Sequence, residues 1–172
     1  MKEKMSVVIV TKDEESNISE CIKSVSWADE IIVVDSGSKD RTCDVSRELG
    51  ADVIERKWIG YADQKNFGIE QAKNNWVMSL DADERISDNL IEILFSIFVK
   101  DSIYEGYRFP RKNIFFGKWM KHGDLWPDYQ IRLFRKGKAF FNDRHVHESV
   151  QVDGEVCELN EPILHYSYHH VS

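Results

Sequence analysis

Val77-Met78-Ser79-Leu80-Asp81-Ala82-Asp83-Glu84 is the stretch whose reading decides the fold. A short apolar run of this kind predicts a buried strand, and its carboxyl end carries Asp81 and Asp83, one residue apart. Two carboxylates so placed can hold a hard divalent cation such as Mg²⁺ or Mn²⁺, which prefers oxygen ligands and keeps positions open for phosphate or water. Acidic residues also form loops and cap helices, so the pair by itself is weak. Its surroundings give it weight.

Upstream, the same texture recurs. Residues 5–10 form a continuous apolar strand candidate that runs into the polar loop Thr11-Lys12-Asp13-Glu14-Glu15. Ser16 or Asn17 can cap a following helix whose buried stripe is Ile18, Cys21, Ile22 and Val25. A second strand over 31–34 ends at Asp35, followed by the turn Ser36-Gly37-Ser38-Lys39-Asp40 and a helix through Val45 and Leu49. Gly50 closes that helix. A weaker strand over 51–55, a helix over 61–72 and a strand over 76–80 complete the alternation. Strands apolar along their length, alternating with helices, predict a mostly parallel sheet covered on both faces. Ligands in such sheets sit outside the carboxyl ends of the strands. Asp13, Asp35 and Asp81 all fall there.

Downstream, Ser87 can cap a helix that buries Leu90, Ile91, Leu94, Ile97 and Phe98. The texture then changes. Residues 106–120 and their continuation to Trp126 are aromatic and basic, with Arg108, Arg111, Lys112, Lys118 and Lys121 among Phe109, Phe115, Phe116 and Trp119. This segment reads either as a core ribbon with one solvated face or as a surface for an anionic glycolipid or the inner membrane. Short strands are expected over 130–134, 139–141 and 149–152. One domain over 1–172 is expected, with a nucleotide-binding half over about 1–100 and a more irregular acceptor half over about 101–172.

The totals exclude several classes. The chain has 172 residues, 42% of them hydrophobic and 31% charged, an ordinary globular composition. Thirty acidic residues against 23 basic ones give a net charge of −7, which argues against a nucleic-acid binder. Cys21, Cys43 and Cys157 lie far apart, which suits small apolar fillers in a reducing cytosol and gives no zinc signature. No apolar run is long enough for a signal core or a membrane span. A cytoplasmic protein is expected, at most peripheral at the inner face of the membrane.

Four ordered motifs carry a resemblance to the family 2 glycosyltransferases of the GT-A fold. They are Val8-Ile9-Val10-Thr11-Lys12-Asp13-Glu14-Glu15, Val33-Val34-Asp35-Ser36-Gly37-Ser38-Lys39-Asp40-Arg41-Thr42, Gln64-Lys65-Asn66-Phe67-Gly68 and Leu80-Asp81-Ala82-Asp83-Glu84. Trp126-Pro127-Asp128-Tyr129-Gln130-Ile131-Arg132-Leu133-Phe134-Arg135, Val146-His147-Glu148 and His165-Tyr166-Ser167-Tyr168 look like the lipopolysaccharide-core β-1,4-glucosyltransferase branch. Members of that branch continue past the last of these motifs, so the chain is expected to be short at its C-terminus.

The resemblance implies an inverting transfer of a hexose, glucose from UDP-glucose, onto a lipopolysaccharide inner-core or related saccharide acceptor. It places Mg²⁺ or Mn²⁺ at Asp83, with Asp81 on the metal or the ribose, and offers His165, then His147, as a further metal ligand. Thr11, Asp13, Glu14, Asp35, Asp81 and Ala82 would line the nucleotide-sugar pocket, and Lys65 would offset diphosphate charge. Glu148 is preferred over Asp128 as the base, the bland role of either being a salt bridge to Arg132 or Arg144. Ser38 and Asp40 are expected to hold their turn and cap the next helix. Two other readings stay open. One is a truncated nucleotide-sugar-binding remnant without turnover. The other is a nucleotidyltransferase, disfavoured because the loop after the first strand is acidic and lacks glycine.

Overall fold

The structure, a computed structural model, describes residues 3–99, 101–143 and 149–167. In chain order, β1 (Met5–Thr11), α1 (Glu15–Ser24), β2 (Glu30–Asp35), α2 (Thr42–Glu48), β3 (Asp52–Glu55), α3 (Tyr61–Gln71) and β4 (Trp76–Asp81) alternate. There follow β5 (Glu84–Arg85), α4 (Asp88–Val99), β6 (Gly106–Phe115) and β7 (Lys118–Trp119), then a 3₁₀ turn at Gly123–Leu125 and β8 (Asp128–Arg135). The chain closes with β9 (Ala139–Asn142), β10 (Ser149–Val152), β11 (Val156–Glu158) and β12 (Ile163–Ser167).

The first half forms the expected parallel ladder in the order β3-β2-β1-β4. All seven residues of β1 are buried, because helices cover the sheet on both sides. On one face Val7, Ile9, Met78 and Leu80 pack with Ile18 and Ile22 of α1 and with Leu90 and Leu94 of α4. On the other face Val8, Val34 and Val77 pack with Ala62 and Ile69 of α3. This approach is close at Gly68, where an added Cβ would lie 2.4 Å from Val8 Cγ1. Only glycine lets α3 sit this near β1.

Beyond β4 the sheet turns antiparallel. β8 pairs with β4, β6 pairs with β8, and β12 then runs parallel to β6 with β5 on its far side. β5 follows β4 after only Ala82 and Asp83, yet lies four places along the ladder from it. The sheet therefore curls back on itself, and the Asp-Ala-Asp segment bridges its two ends.

Several local expectations change. α1 begins at Glu15, so Ser16 and Asn17 lie inside its first turn instead of capping it. Residues 106–115 form one ten-residue strand, β6, which binds β7, β8, β11 and β12. Alternating aromatic and basic residues suit a ribbon with one packed and one wet face. Ser87 does cap α4, accepting the Leu90 amide at 3.3 Å.

Candidate active site

The register places Thr11 opposite Asp35 and Val10 opposite Asp81, so the tips of β1, β2 and β4 end level. A cleft of about 580 Å³ opens above them. Thr11, Glu14, Ser36, Ala82, Asp83 and His165 are among its lining residues, and Trp58 and Tyr61 form an aromatic wall with ring centroids 4.6 Å apart. Thr11 Oγ1 is buried and has no hydrogen-bond partner among the described residues. A second cleft of about 570 Å³, lined by Arg111, Tyr129, Gln130 and Arg132, also meets Asp81. Asp81 thus stands between two openings.

Asp81 is clamped. Lys65 Nζ, on a side chain only 2% exposed, lies 3.1 Å from Oδ1, and Arg132 Nη2 lies 3.5 Å from Oδ2. Burial pushes the Asp81 carboxyl up, but Lys65 and then Arg132 outweigh it and hold the group down at about 2. Lys65 was expected to face the diphosphate. It instead sits behind Asp81, against the Phe141 ring. Glu84, fully buried, completes the clamp: its carboxylate accepts from Arg132 Nε at 3.1 Å and Nη2 at 2.9 Å, and from the Asp81 amide at 3.0 Å.

Asp83 is placed differently. Its backbone carbonyl accepts from the Tyr166 amide at 2.9 Å, and its Oδ2 lies 3.1 Å from His165 Nε2. The other ring nitrogen, Nδ1, lies 2.7 Å from Asn113 Oδ1. Asn113 is oriented through Nδ2, which donates to the Leu125 carbonyl and to Asp128 Oδ2. Ser167 Oγ also lies 3.1 Å from Nδ1; in the tautomer that donates from Nδ1 to Asn113 Oδ1, the Nε2 lone pair faces a carboxylate oxygen. That arrangement calls for a cation, or a second proton, between the two atoms. Cis ligands at about 2.1 Å on an octahedral ion lie roughly 3 Å apart. The Asp83–His165 spacing fits a divalent metal, and the Asn113 bond supplies the outer support that ligating histidines usually have. Glu14 adds charge at the same place. Burial raises its carboxyl pKa, the Asn17 hydrogen bond opposes this, and the Asp83 carboxylate raises it again.

The loops after β1 and β2 are bound to each other. The amides of Asp13, Glu14 and Glu15 donate to Ser38 Oγ (2.8 Å), Thr42 Oγ1 (2.9 Å) and Asp40 Oδ2 (3.1 Å). In return Asp13 Oδ1 accepts from the Lys39 amide and Glu15 Oε2 from the Arg41 amide. These amides are already used, so the loop cannot cradle phosphate as a nucleotidyltransferase loop does. Asp35 departs from expectation as well. It is fully buried, and its oxygens accept from the Gly37 and Ser38 amides and the Ser38 hydroxyl; Ser36 takes its place in the cleft wall. Gly37, at φ 90°, makes that turn possible.

Asp128 is ion-paired to Arg111, Nη2 to Oδ2 at 2.8 Å, rather than to Arg132 or Arg144. Burial raises its pKa, but the Gln130 hydrogen bond and Arg111 more than reverse this, leaving it lowered. Glu148, His147 and Arg144 lie outside the described residues.

The sequence model of Glycosyl transferase family 2 matches residues 6–151. The chain belongs to that family. Over 169 residues it is 31% identical to the lipopolysaccharide core biosynthesis glycosyltransferase LpsC of Rhizobium meliloti, covering 94% of this chain and 63% of that protein. The chain spans about three-fifths of the length of the curated relatives it matches. Among solved structures, S. aureus TarS 1–349 in complex with UDP-GlcNAc superposes with a TM-score of 0.67 at 15% identity, covering 98% of this chain and 60% of that one. Glucosyl-3-phosphoglycerate synthase of Mycobacterium tuberculosis, in complex with Mn²⁺, UDP and glucosyl-3-phosphoglycerate, gives 0.53 at 23% identity, covering 66% and 44%. These likenesses show the GT-A fold.

Sequence reasoning gave no site role to Glu84 or Asn113, named Arg132 only as an ion-pair partner for Glu148 or Asp128, and placed Arg111 only in the aromatic and basic segment. One signal was present: Arg132 interrupts the apolar run Ile131–Phe134, and a buried guanidinium requires a buried acid. Nothing local marks Asn113, whose role exists only because β12 lies beside β6.

Proposed function

We propose that this chain is a divalent-metal-dependent, inverting hexosyltransferase that moves glucose from UDP-glucose to a hydroxyl of a lipopolysaccharide inner-core or related glycan. The observation that carries this reading is the Asp83–His165 pair in a cleft where Glu14, Asp81 and Asp83 outnumber the one lining cation, Lys12. Such a cleft repels a diphosphate unless a cation intervenes. Bound there, Mg²⁺ or Mn²⁺ would neutralise charge on the leaving diphosphate. The UDP and Mn²⁺ named with the mycobacterial synthase, and the UDP-GlcNAc named with TarS, support the donor class. The name of LpsC supports the acceptor class.

In this reading Trp58 and Tyr61 flank the nucleobase, Thr11 Oγ1 and Glu14 meet the base or ribose, and Ala82 leaves room for the sugar. Asp81, fixed between Lys65 and Arg132, presents an ionised carboxylate to the donor. Asp13 and Asp35 act through the loops that they hold. The base that takes the acceptor proton is Glu148. Asp128 is the weaker candidate, because its ion pair with Arg111 lowers its proton affinity.

Calorimetry of UDP binding with and without Mn²⁺, followed by a transfer assay with UDP-glucose and a core oligosaccharide, tests the reading. Metal-dependent binding and transfer abolished by EDTA are expected, and Asp83→Asn should lose the metal dependence. UDP binding that ignores metal would overturn the site. Binding without transfer or donor hydrolysis would favour a nucleotide-sugar-binding unit without turnover.

A further inference from the structure

We infer that the β6–β7 hairpin is a docking surface for an anionic lipid bilayer, holding the donor cleft against a membrane that presents the acceptor. The inference rests on the glycolipid-acceptor reading above, but its surface is separate from the cleft. β6 ends at Phe115, the chain turns through Phe116 and Gly117, and β7 returns with Lys118 opposite Phe115 and Trp119 opposite Ile114. Both turn residues have positive φ, 47° and 73°. Two-residue hairpins of this kind favour Asn-Gly or Gly-Gly, because a bulky side chain is strained there. Phe116 is therefore not explained by the turn. Its ring is 51% exposed at the hairpin tip, edge-on to Phe115.

The flanks have matching character. Met120 and Leu125 are exposed, and Lys112 Nζ and Lys121 Nζ lie 4.3 and 4.0 Å from the Trp119 ring centroid. Residues 112–123 contain Lys112, Lys118 and Lys121 and no acidic residue, in a chain whose net charge is −7. Elsewhere the protein is repelled by an anionic surface; here it is attracted, so charge sets orientation as well as affinity. Exposed Phe115 and Phe116 at the tip, with Lys118 opposite Phe115 and two lysines over the half-buried Trp119, suit the headgroup boundary, where an exposed ring enters and an ammonium stays with phosphate. The same strand carries Asn113, two residues before Phe115, against His165. Hairpin contact with lipid would thus bring the cleft to the surface from which a glycolipid headgroup projects. No helix among the described residues is long and apolar enough to cross a membrane, so attachment through such a surface is a separate means of reaching lipid.

The test is co-sedimentation of the full chain with vesicles of phosphatidylcholine alone or mixed with phosphatidylglycerol, across a salt series. Binding only to the mixed vesicles, lost at high salt, is expected. The K112Q/K118Q/K121Q variant should partition roughly a hundredfold more weakly. The F115S/F116S variant should lose retention at low salt while keeping its melting temperature and its UDP binding. Equal sedimentation with both vesicle types, or with neither, overturns the inference. So does a lipid-independent dimer abolished by F115S/F116S, which would make the hairpin a self-contact. UDP and Mn²⁺ binding measured without vesicles reports separately on the transferase reading, so the two can fail independently.

Discussion

On the parallel side of the sheet β1 buries all seven of its residues and β4 five of six; on the antiparallel side β8 buries three of eight and β12 one of five. The first side is held by apolar packing between helices. The second adds ion pairs to the apolar contacts of Tyr107, Phe109, Leu133, Phe134 and Ile163: Arg132 to Glu84 and Asp81, Arg111 to Asp128, and Arg135 to Glu105. The cleft lies where the two regimes meet, at Asp81 and Asp83. Apolar strands fix where the chain tips end. Ion pairs and hydrogen bonds from the other side decide which way their carboxylates face.

The largest expected effect is at the proposed base, Glu148. Glu148→Gln should lower transfer by about 10²–10⁴-fold with UDP binding unchanged, while Asp128→Asn should lower it less. Steady-state transfer rates decide between them; retained turnover in Glu148→Gln moves the role to Asp128. Next is the buried pair. Arg132→Met strands Glu84 without its cation and should destabilise by about 3–5 kcal/mol in urea unfolding, whereas the double change Arg132→Met/Glu84→Leu should recover much of this. Full recovery with the cleft still active would show that the pair is not needed to aim Asp81.

The parallel side should answer to volume instead. Gly68→Ala forces a methyl against Val8 and should cost about 1–3 kcal/mol, read from the urea midpoint, without altering the salt or pH dependence of stability. The smallest effect is acid sensitivity. Because the Asp81 carboxyl is held at about 2 in the folded state, it contributes stability above its unfolded pKa of about 3.9, and this is lost as pH falls toward 2. With solvent screening allowed for at a one-third exposed side chain, that contribution is about 1–2 kcal/mol. Asp81→Asn should flatten the stability curve over that window and leave its neutral limb parallel to the native one.

Legibility followed the same division. The strands read as 5–10, 31–34 and 76–80 are present within Met5–Thr11, Glu30–Asp35 and Trp76–Asp81, because a strand buried on both faces is largely apolar, and Gly50 marked a helix end at φ 86°. The cap of α1 was misread at Ser16 and Asn17, since its amides are met from residues 38–42, a partnership no local pattern announces. Lys65 was expected, from the family resemblance, to offset diphosphate charge, but it is buried and paired with the partly exposed Asp81 carboxylate. Residues 106–115 were legible as a core ribbon with one solvated face, but not their pairing, because three of the four strands that β6 binds come later in the chain than its own hairpin.

The sequence alone determined the alternation of strands and helices, the family motifs and the presence of paired carboxylates at a strand tip. Each of these depends on neighbours within a few residues, where hydrophobic period and turn chemistry act. Tertiary structure alone decided that Asp81 is clamped by Lys65 and Arg132, that Asp83 faces His165, and that Asn113 orients that ring. Those relations join residues 16 to 82 positions apart, and they form only because the sheet curls until β12 stands beside the tip of β4.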